Sequence, residues 1–114
     1  MSDCIFCKIV DKQIPAKILF ESENSIAFPD ISPKAPTHIL FIPKKHIESL
    51  DKLSPVDEKI IGKLMIEISE FARSLGLEKT GYRIVNNMGK DAGQTVFHIH
   101  FHLLAGREFN WPPG

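Results

Sequence analysis

Few features of the sequence suggest export or a membrane. The chain has 114 residues and only two cysteines, Cys4 and Cys7, which are too close in sequence to staple a fold. No apolar run approaches the roughly 18 residues that a membrane span requires. The first residues also lack the basic segment and apolar core of a secretory signal. We therefore predict a cytoplasmic protein with no membrane partner.

The chain also lacks an excess of either charge. Its 14 lysines and arginines equal its 14 aspartates and glutamates, so the formal net charge is zero. Binding of nucleic acid polymers usually depends on clustered basic residues, so we expect no such partner. A small nucleotide needs only a local pocket, and such a ligand stays possible. The length and the 43% of hydrophobic residues suit one core, which predicts a single domain over residues 1–114.

One long helix is clearly marked. Ser54 is a good N-cap, Pro55 suits the first helical position, and Gly76 lies where helices commonly end. Apolar residues between these signals recur at helical spacing and predict a stripe that faces a core. They are Ile60, Ile61, Leu64, Met65, Ile68, Phe71, Ala72 and Leu75.

The remaining apolar segments predict a sheet. Only one long helix is available to cover it, so antiparallel strands are favoured over βαβ units. The predicted fold class is α+β, a five-stranded antiparallel sheet with one long helix and a short N-terminal helix. The short helix covers residues 4–10, with Ile5, Phe6 and Ile9 directed inward. The predicted strands are residues 17–21, 25–28, 38–42, 82–86 and 96–104.

The last predicted strand contains three of the five histidines of the chain. Side chains two apart in a strand point to the same face, so His98, His100 and His102 share one side. The other side is then entirely apolar and can pack into the core. It consists of Phe97, Ile99, Phe101 and Leu103.

This strand has two alternatives to a catalytic role. A solvated histidine face is an ordinary outcome for one histidine and an uncommon one for three. A metal site made of all three rings conflicts with geometry, because His98 and His102 are separated by roughly 13 Å along a strand. Zinc requires its nitrogens at about 2.0–2.1 Å, so the three histidines are expected to have different roles.

Neutral imidazole is a competent nucleophile, and histidine is mostly neutral at pH 7. Attack on a phosphorus atom also needs groups that hold the phosphate oxygens and assist the leaving group. A row of imidazoles can supply all three functions. The glycines at positions 89 and 93, just upstream, would let backbone N–H groups approach phosphate oxygens closely, although this loop is not a Walker A motif.

The segment from His98 to Leu104 resembles the signature of the histidine-triad (HIT) family, His-φ-His-φ-His-φ-φ with φ apolar, at every position. The resemblance extends over nearly the whole chain and is closest to the Hint branch. Further segments carry it: Ala35-Pro36-Thr37-His38, Ile42-Pro43-Lys44-Lys45-His46-Ile47 and Trp111-Pro112-Pro113-Gly114.

The resemblance implies a homodimer in which two five-stranded sheets join, with a purine nucleotide site on each subunit. It implies hydrolysis of adenosine 5′-phosphoramidates through a nucleotidyl-histidine intermediate. His100 would be the nucleophile. His102 would contact the phosphate and help the leaving group, and His38 would orient the histidine cluster.

The resemblance also implies a set of substrate contacts. Asp30 would accept hydrogen bonds from the ribose hydroxyls, with Ile31 beside the sugar. The tail with Trp111 would reach the partner's site and shape the leaving-group pocket. Thr95 stands where serine is expected; the hydroxyl is kept, and its extra methyl group would bear on leaving-group preference. The base would lie between Phe6, Ile9 and Phe28, and the phosphate and leaving group would contact Asn87, Gly93 and Thr95. For Ile9 and Phe28, plain core packing is an equal alternative.

Cys4 and Cys7 have the spacing of half a zinc site. Two free thiols on a helical turn are the simpler alternative, and a thioredoxin-like pair lacks its βαβ context. Two more ligands are needed, and His46 and His98 are the histidines without a catalytic role. We therefore hypothesise a structural zinc held by these four residues; catalysis itself would need no cofactor.

Two other functions stay open at this point. One is cleavage of dinucleoside polyphosphates, as in the Fhit branch of the same family. The other is a nucleotide-binding or zinc-binding scaffold without turnover, although a scaffold has no need of a nucleophile.

Overall fold

The structure is a computed structural model that describes residues 3–114. It contains two α-helices, five strands and three short 3-10 helices. The α-helices are α1 (Ile5–Val10) and α2 (Glu58–Ser74), and the 3-10 helices are Leu50–Lys52, Pro55–Asp57 and Leu77–Lys79. The strands are β1 (Phe20–Glu21), β2 (Ser25–Pro29), β3 (Thr37–Pro43), β4 (Tyr82–Val85) and β5 (Phe101–Ala105).

The strands form one sheet in the order β1-β2-β3-β5-β4, and every neighbouring pair is antiparallel. The predicted α+β class, with one long and one short helix on a five-stranded antiparallel sheet, is confirmed. None of the helices in residues 3–114 is long and apolar enough to cross a membrane.

The two faces of the sheet carry separate apolar clusters. Ile39 and Phe41 of β3 point to the face covered by α2, where they pack with Leu64 and Ile68. The alternate β3 residues, represented by Leu40, point to the face covered by α1. This alternation is the two-residue period of a strand with both faces buried. It also places the even-numbered residues of β3 and β5 on the α1 side.

The start of α2 follows the predicted signals with one difference. Ser54 and Asp57 form a capping box, but residues Pro55–Asp57 make a 3-10 turn before the α-helix begins at Glu58. Gly76 follows the helix with a φ of +73°, a left-handed conformation that favours glycine. Leu75, predicted to face the core, is half exposed because the helix has already ended there.

The last strand is shorter than predicted. β5 begins at Phe101, so the strand prediction is wrong for residues 96–100. The chain leaves the sheet there because Ile99 donates its N–H to Ile47, and because the His98 ring, rather than its backbone, bonds to Pro43. Phe97, predicted to be in the core, is 55% exposed as a consequence.

Two other expectations differ in detail. Ile5 of α1, predicted to point inward, is 49% exposed, whereas Phe6 and Ile9 are buried as predicted. With only six residues, α1 buries one narrow stripe. The strand predicted over residues 17–21 is reduced to its last two residues.

Candidate active site and metal cluster

A cavity of about 610 Å³ opens on the α1 side of the sheet. Ten of the eleven substrate-binding residues predicted from the sequence line it. Trp111 is the exception; it lies elsewhere and is 82% exposed. Ile31 is fully exposed at the rim. The ten are Phe6, Ile9, Phe28, Asp30, Ile31, Asn87, Gly93, Thr95, His100 and His102.

Side chains from α1 and β2 make the apolar wall of the cavity. Phe6 packs edge-to-face on Phe28, with ring centroids 5.5 Å apart, and on His100, with centroids 5.2 Å apart. Ile9 and Phe28 are buried core residues and cavity residues at once. Core packing and cavity lining therefore coexist at these two positions.

The orientation of the His100 ring is fixed by a hydrogen bond to the backbone two residues earlier. Nδ1 of His100 lies 2.8 Å from the backbone carbonyl of His98. A carbonyl oxygen can only accept, so Nδ1 carries the proton and donates. In the neutral His100 ring the lone pair is then on Nε2, which is the nitrogen available for nucleophilic attack.

A second chain of hydrogen bonds assigns the proton of His102. The backbone N–H of Lys34 donates to Nδ1 of His38, so the proton of the neutral His38 ring is on Nε2. That Nε2 lies 2.8 Å from Nδ1 of His102 and donates to it. His102 therefore accepts at Nδ1 and keeps its own proton on Nε2. It is a hydrogen-bond donor beside His100, whose ring centroid is 5.2 Å away.

Burial favours the neutral forms of His38 and His102. It lowers the pKa of His102 to about 4, with further lowering by His100 and His38. Burial also lowers the pKa of His38, although the nearby Asp30 carboxylate opposes the shift. Nε2 of His38 is 3.4 Å from that carboxylate. Neutral rings are what the assigned proton positions require.

The loop before the histidines is held by a residue that the sequence analysis missed. Gln94 is buried, and its Nε2 donates to the carbonyls of Glu48 and Val96. Its Oε1 accepts from the N–H of Gly89, where φ is +85°. These bonds fix the loop that brings residues 93 and 95 to the cavity. A glutamine between a glycine and a threonine carries no signal of burial in the sequence.

Asn86 is a second residue that the sequence analysis missed. Its Nδ2 donates to the backbone carbonyl of His100 at 2.8 Å. Its Oδ1 is buried and has no hydrogen-bond partner within residues 3–114. Asn86 therefore supports the backbone of His100 from the side of β4. The only sequence signal is its position at the end of a predicted strand.

The four residues predicted to bind zinc lie together. One ligand atom from each of Cys4, Cys7, His46 and His98 falls within 4.8 Å of all the others. Sγ of Cys7 is 3.2 Å from Nδ1 of His46, and Sγ of Cys4 is 3.5 Å from Nδ1 of His98.

The chemistry of these donors suits a metal ion. Nε2 of the buried His98 donates to the carbonyl of Pro43 at 2.8 Å, which leaves the lone pair on Nδ1, the nitrogen that faces the thiols. Burial raises the pKa of the Cys7 thiol to about 11. A bound metal would have to displace that proton, as metals do when cysteine coordinates them. Two thiols and two imidazoles are a common donor set for structural zinc.

The fold and the site together define an α+β protein in which a histidine cluster closes one end of an apolar cavity. Residues 11–109 match the HIT domain, and the chain belongs to the HIT family. An uncharacterised HIT-like protein of Synechocystis is 46% identical over 112 residues, which are 98% of this chain and 97% of that protein.

Solved structures of relatives have the same fold. A HIT family hydrolase from Legionella pneumophila is 46% identical and superposes with a TM-score of 0.96, over 98% of this chain and 100% of that chain. A histidine triad nucleotide-binding protein from Candida albicans is 32% identical with a TM-score of 0.82, over 96% of this chain and 83% of that chain.

Proposed function

We propose that the chain is a nucleotide hydrolase that cleaves the P–N bond of purine nucleoside 5′-phosphoramidates. The observation that carries the proposal is the arrangement of His100, whose Nδ1 donates to the His98 carbonyl while the ring lines the cavity. Two relatives agree in kind, since one is described as a hydrolase and another as nucleotide-binding.

In the first step, Nε2 of His100 attacks the phosphorus atom and the bond from phosphorus to the amine nitrogen breaks. The product is a nucleotidyl-histidine and a free amine. Positive charge that develops on the ring is stabilised by the His98 carbonyl, which accepts from Nδ1. In the second step, water attacks the phosphorus, releases the nucleoside monophosphate and restores neutral His100.

The phosphoryl oxygens need hydrogen-bond donors in both steps. His102 presents its Nε2–H, because Nδ1 is occupied by the bond from His38. The departing nitrogen must also gain a proton. The Thr95 hydroxyl passes its proton to that nitrogen and regains one from the attacking water in the second step. The His102 N–H keeps its proton and donates hydrogen bonds to the phosphoryl oxygens and the departing group, and Asn87 and Gly93 complete the phosphate contacts.

The nucleoside is proposed to occupy the apolar part of the cavity. The base would lie among Phe6, Ile9 and Phe28, whose faces and edges suit a flat purine. The Asp30 carboxylate would accept hydrogen bonds from the ribose hydroxyls, with Ile31 beside the sugar at the exposed rim.

The test is turnover of a fluorogenic adenosine 5′-phosphoramidate by the purified protein. His100→Asn is the matched variant, because its amide can still donate to the His98 carbonyl but offers no nucleophile. We expect wild-type turnover, none in the variant, and an adenylyl adduct on residue 100 when the reaction is quenched early. No turnover by the wild type would overturn the proposal, and diadenosine polyphosphates would be the next substrates to assay.

We also propose that Cys4, Cys7, His46 and His98 hold a structural zinc. Bound there, the metal would cross-link α1 to the segments that flank β3 and β5. Protein purified untagged and without added zinc should contain about one zinc per chain, and Cys7→Ser should contain little. A wild-type protein that is metal-free and fully stable would contradict this proposal.

Finally, we propose that the chain acts in the cytoplasm as a homodimer. β4 is an edge strand of the sheet, and Trp111 lies away from the chain's own cavity. Both features suit a partner subunit that extends the sheet and receives the tail. Sedimentation equilibrium should give twice the 12.9 kDa chain mass, and a monomer at all concentrations would contradict the dimer.

A further inference from the structure

Helix α1 takes part in both the cavity and the cysteine cluster, which consists of Cys4, Cys7, His46 and His98. Cys4 and Cys7 supply the two thiols, and Phe6 lies between them in the sequence. Phe6 contacts the rings of Phe28, His98 and His100, with centroid distances of 5.5, 5.9 and 5.2 Å. One short element therefore carries half of the metal ligands and a cavity residue that touches the proposed nucleophile.

Apart from the cysteines, this helix is held to the rest of the chain by the packing of its apolar side chains. Six residues are too few for a helix that is stable on its own, so α1 depends on tertiary contacts. Its buried apolar residues are Phe6 and Ile9, and the partly buried Val10 packs against the same cluster. Within residues 3–114, the hydrogen bonds from residues 4–10 to the chain beyond residue 13 are those of the two thiols with His46 and His98.

His98 is a second link between the two sites. Its Nδ1 faces the thiols, and its backbone carbonyl accepts the bond from Nδ1 of His100. The residue is fully buried and its Nε2 is tied to Pro43. Any shift of the His98 ring toward or away from a metal must therefore be accommodated by the segment that orients His100.

From these shared residues we propose that metal binding at the cysteine cluster and nucleotide binding in the cavity are thermodynamically linked. Cys4 and Cys7 are then positioning residues of the nucleotide site, which act through Phe6 and His98. The inference rests on the proposed nucleotide function and on the proposed metal. It goes beyond both, because a purely structural metal would leave nucleotide affinity unchanged.

Linkage has a quantitative signature. If the metal strengthens nucleotide binding by some factor, the nucleotide strengthens metal binding by the same factor. We expect a factor of about ten, within the range usual for coupled sites. The direction is positive, because both ligands favour the ordered position of α1.

The first experiment starts from the zinc-loaded full chain. The Kd of zinc is measured by competition with a chromophoric chelator, with and without saturating adenosine 5′-monophosphate. The nucleotide should lower this Kd about tenfold. An unchanged Kd at nucleotide concentrations that saturate the cavity would overturn the linkage.

The second experiment measures the reverse effect. The Kd of adenosine 5′-monophosphate is determined by calorimetry for zinc-loaded and chelator-stripped protein, at a temperature where circular dichroism shows the stripped protein folded. Phe6→Leu should keep zinc binding and lose most of the dependence of nucleotide affinity on zinc. Lys8→Ala, on the same helix but outside both sites, should keep that dependence.

The possible failures are distinguishable. If zinc and the nucleotide both bind and neither alters the affinity of the other, the linkage is wrong and the proposed function stands. If the nucleotide binds neither form, the linkage and the proposed nucleotide site are both wrong. If zinc does not bind, the metal proposal is wrong and the linkage is wrong with it.

Discussion

Nε2 of His38 lies 2.8 Å from Nδ1 of His102, although the two residues are 64 positions apart in the sequence. The antiparallel pairing of β3 with β5 brings them together, since His102 is registered with Leu40, two residues along β3 from His38. This contact decides which nitrogen of His102 carries a proton, and so which group the cavity offers to a phosphate.

The first prediction concerns His38→Asn. Asparagine can accept near the position of Nδ1 but cannot donate from the position of Nε2, so His102 loses its partner. We expect kcat for the phosphoramidate to fall about 10–100-fold, with KM nearly unchanged, since a buried group left without its hydrogen-bond partner costs about 1–3 kcal/mol. His38→Gln, whose amide nitrogen reaches further, should recover part of the rate. Equal activity of wild type and His38→Asn would contradict the assigned role.

The second prediction concerns stability against pH. The pKa of His102 is about 4 in the folded protein and near 6.5 in the unfolded chain. Between these values the unfolded chain binds a proton that the folded protein does not. The contribution of His102 to the free energy of unfolding is therefore present above pH 6.5 and is lost as the pH falls toward 4.

Urea unfolding between pH 7.5 and 4.5 checks this sign. The free energy of unfolding should fall by about 1–2 kcal/mol on account of His102, after allowance for the partial exposure of its ring. His102→Asn should show a correspondingly weaker dependence, although His38 adds to the trend in both proteins. A free energy of unfolding that rises toward low pH would refute the argument.

The third prediction concerns Asn86→Val. The variant removes the amide that donates to the His100 carbonyl, so the proposed nucleophile is held less firmly. We expect kcat to fall about 5–10-fold, as for one hydrogen bond worth about 1 kcal/mol. Stability should change little, because the variant also removes a buried oxygen without a partner. Steady-state kinetics and thermal unfolding on the same samples separate the two effects, and a large loss of stability with normal kcat would reverse the assignment.

The fourth prediction compares two isoleucines on α2. Ile68 is 2% exposed in the cluster beneath the sheet, whereas Ile66, two residues earlier, is 59% exposed. Ile68→Ala should lower the free energy of unfolding by about 2–5 kcal/mol, because it leaves a cavity. Ile66→Ala should change it by less than about 0.5 kcal/mol. Urea denaturation of both variants tests the packing direction of α2; similar losses would contradict it.

Local patterns in the sequence predict much of the fold. The apolar period between Ser54 and Gly76 predicts α2, because one stripe of a helix must face the core. The histidine spacing marks the functional segment even though its first part is not a strand. The prediction over residues 96–100 was wrong because alternation does not show which backbone groups pair, and Ile99 donates its N–H to Ile47, outside the sheet.

Local sequence patterns contain the helix signals, the alternation of the strands and the family signature at residues 98–104. Each of these is a local property, because it depends on residues that lie close together in the sequence. Only the tertiary structure shows which nitrogen of His102 carries the proton and that Asn86 supports His100. The tertiary structure also brings Cys4 and Cys7 together with His46 and His98. Those features depend on the distances between atoms far apart in the chain, which only the pairing of strands and the docking of α1 establish.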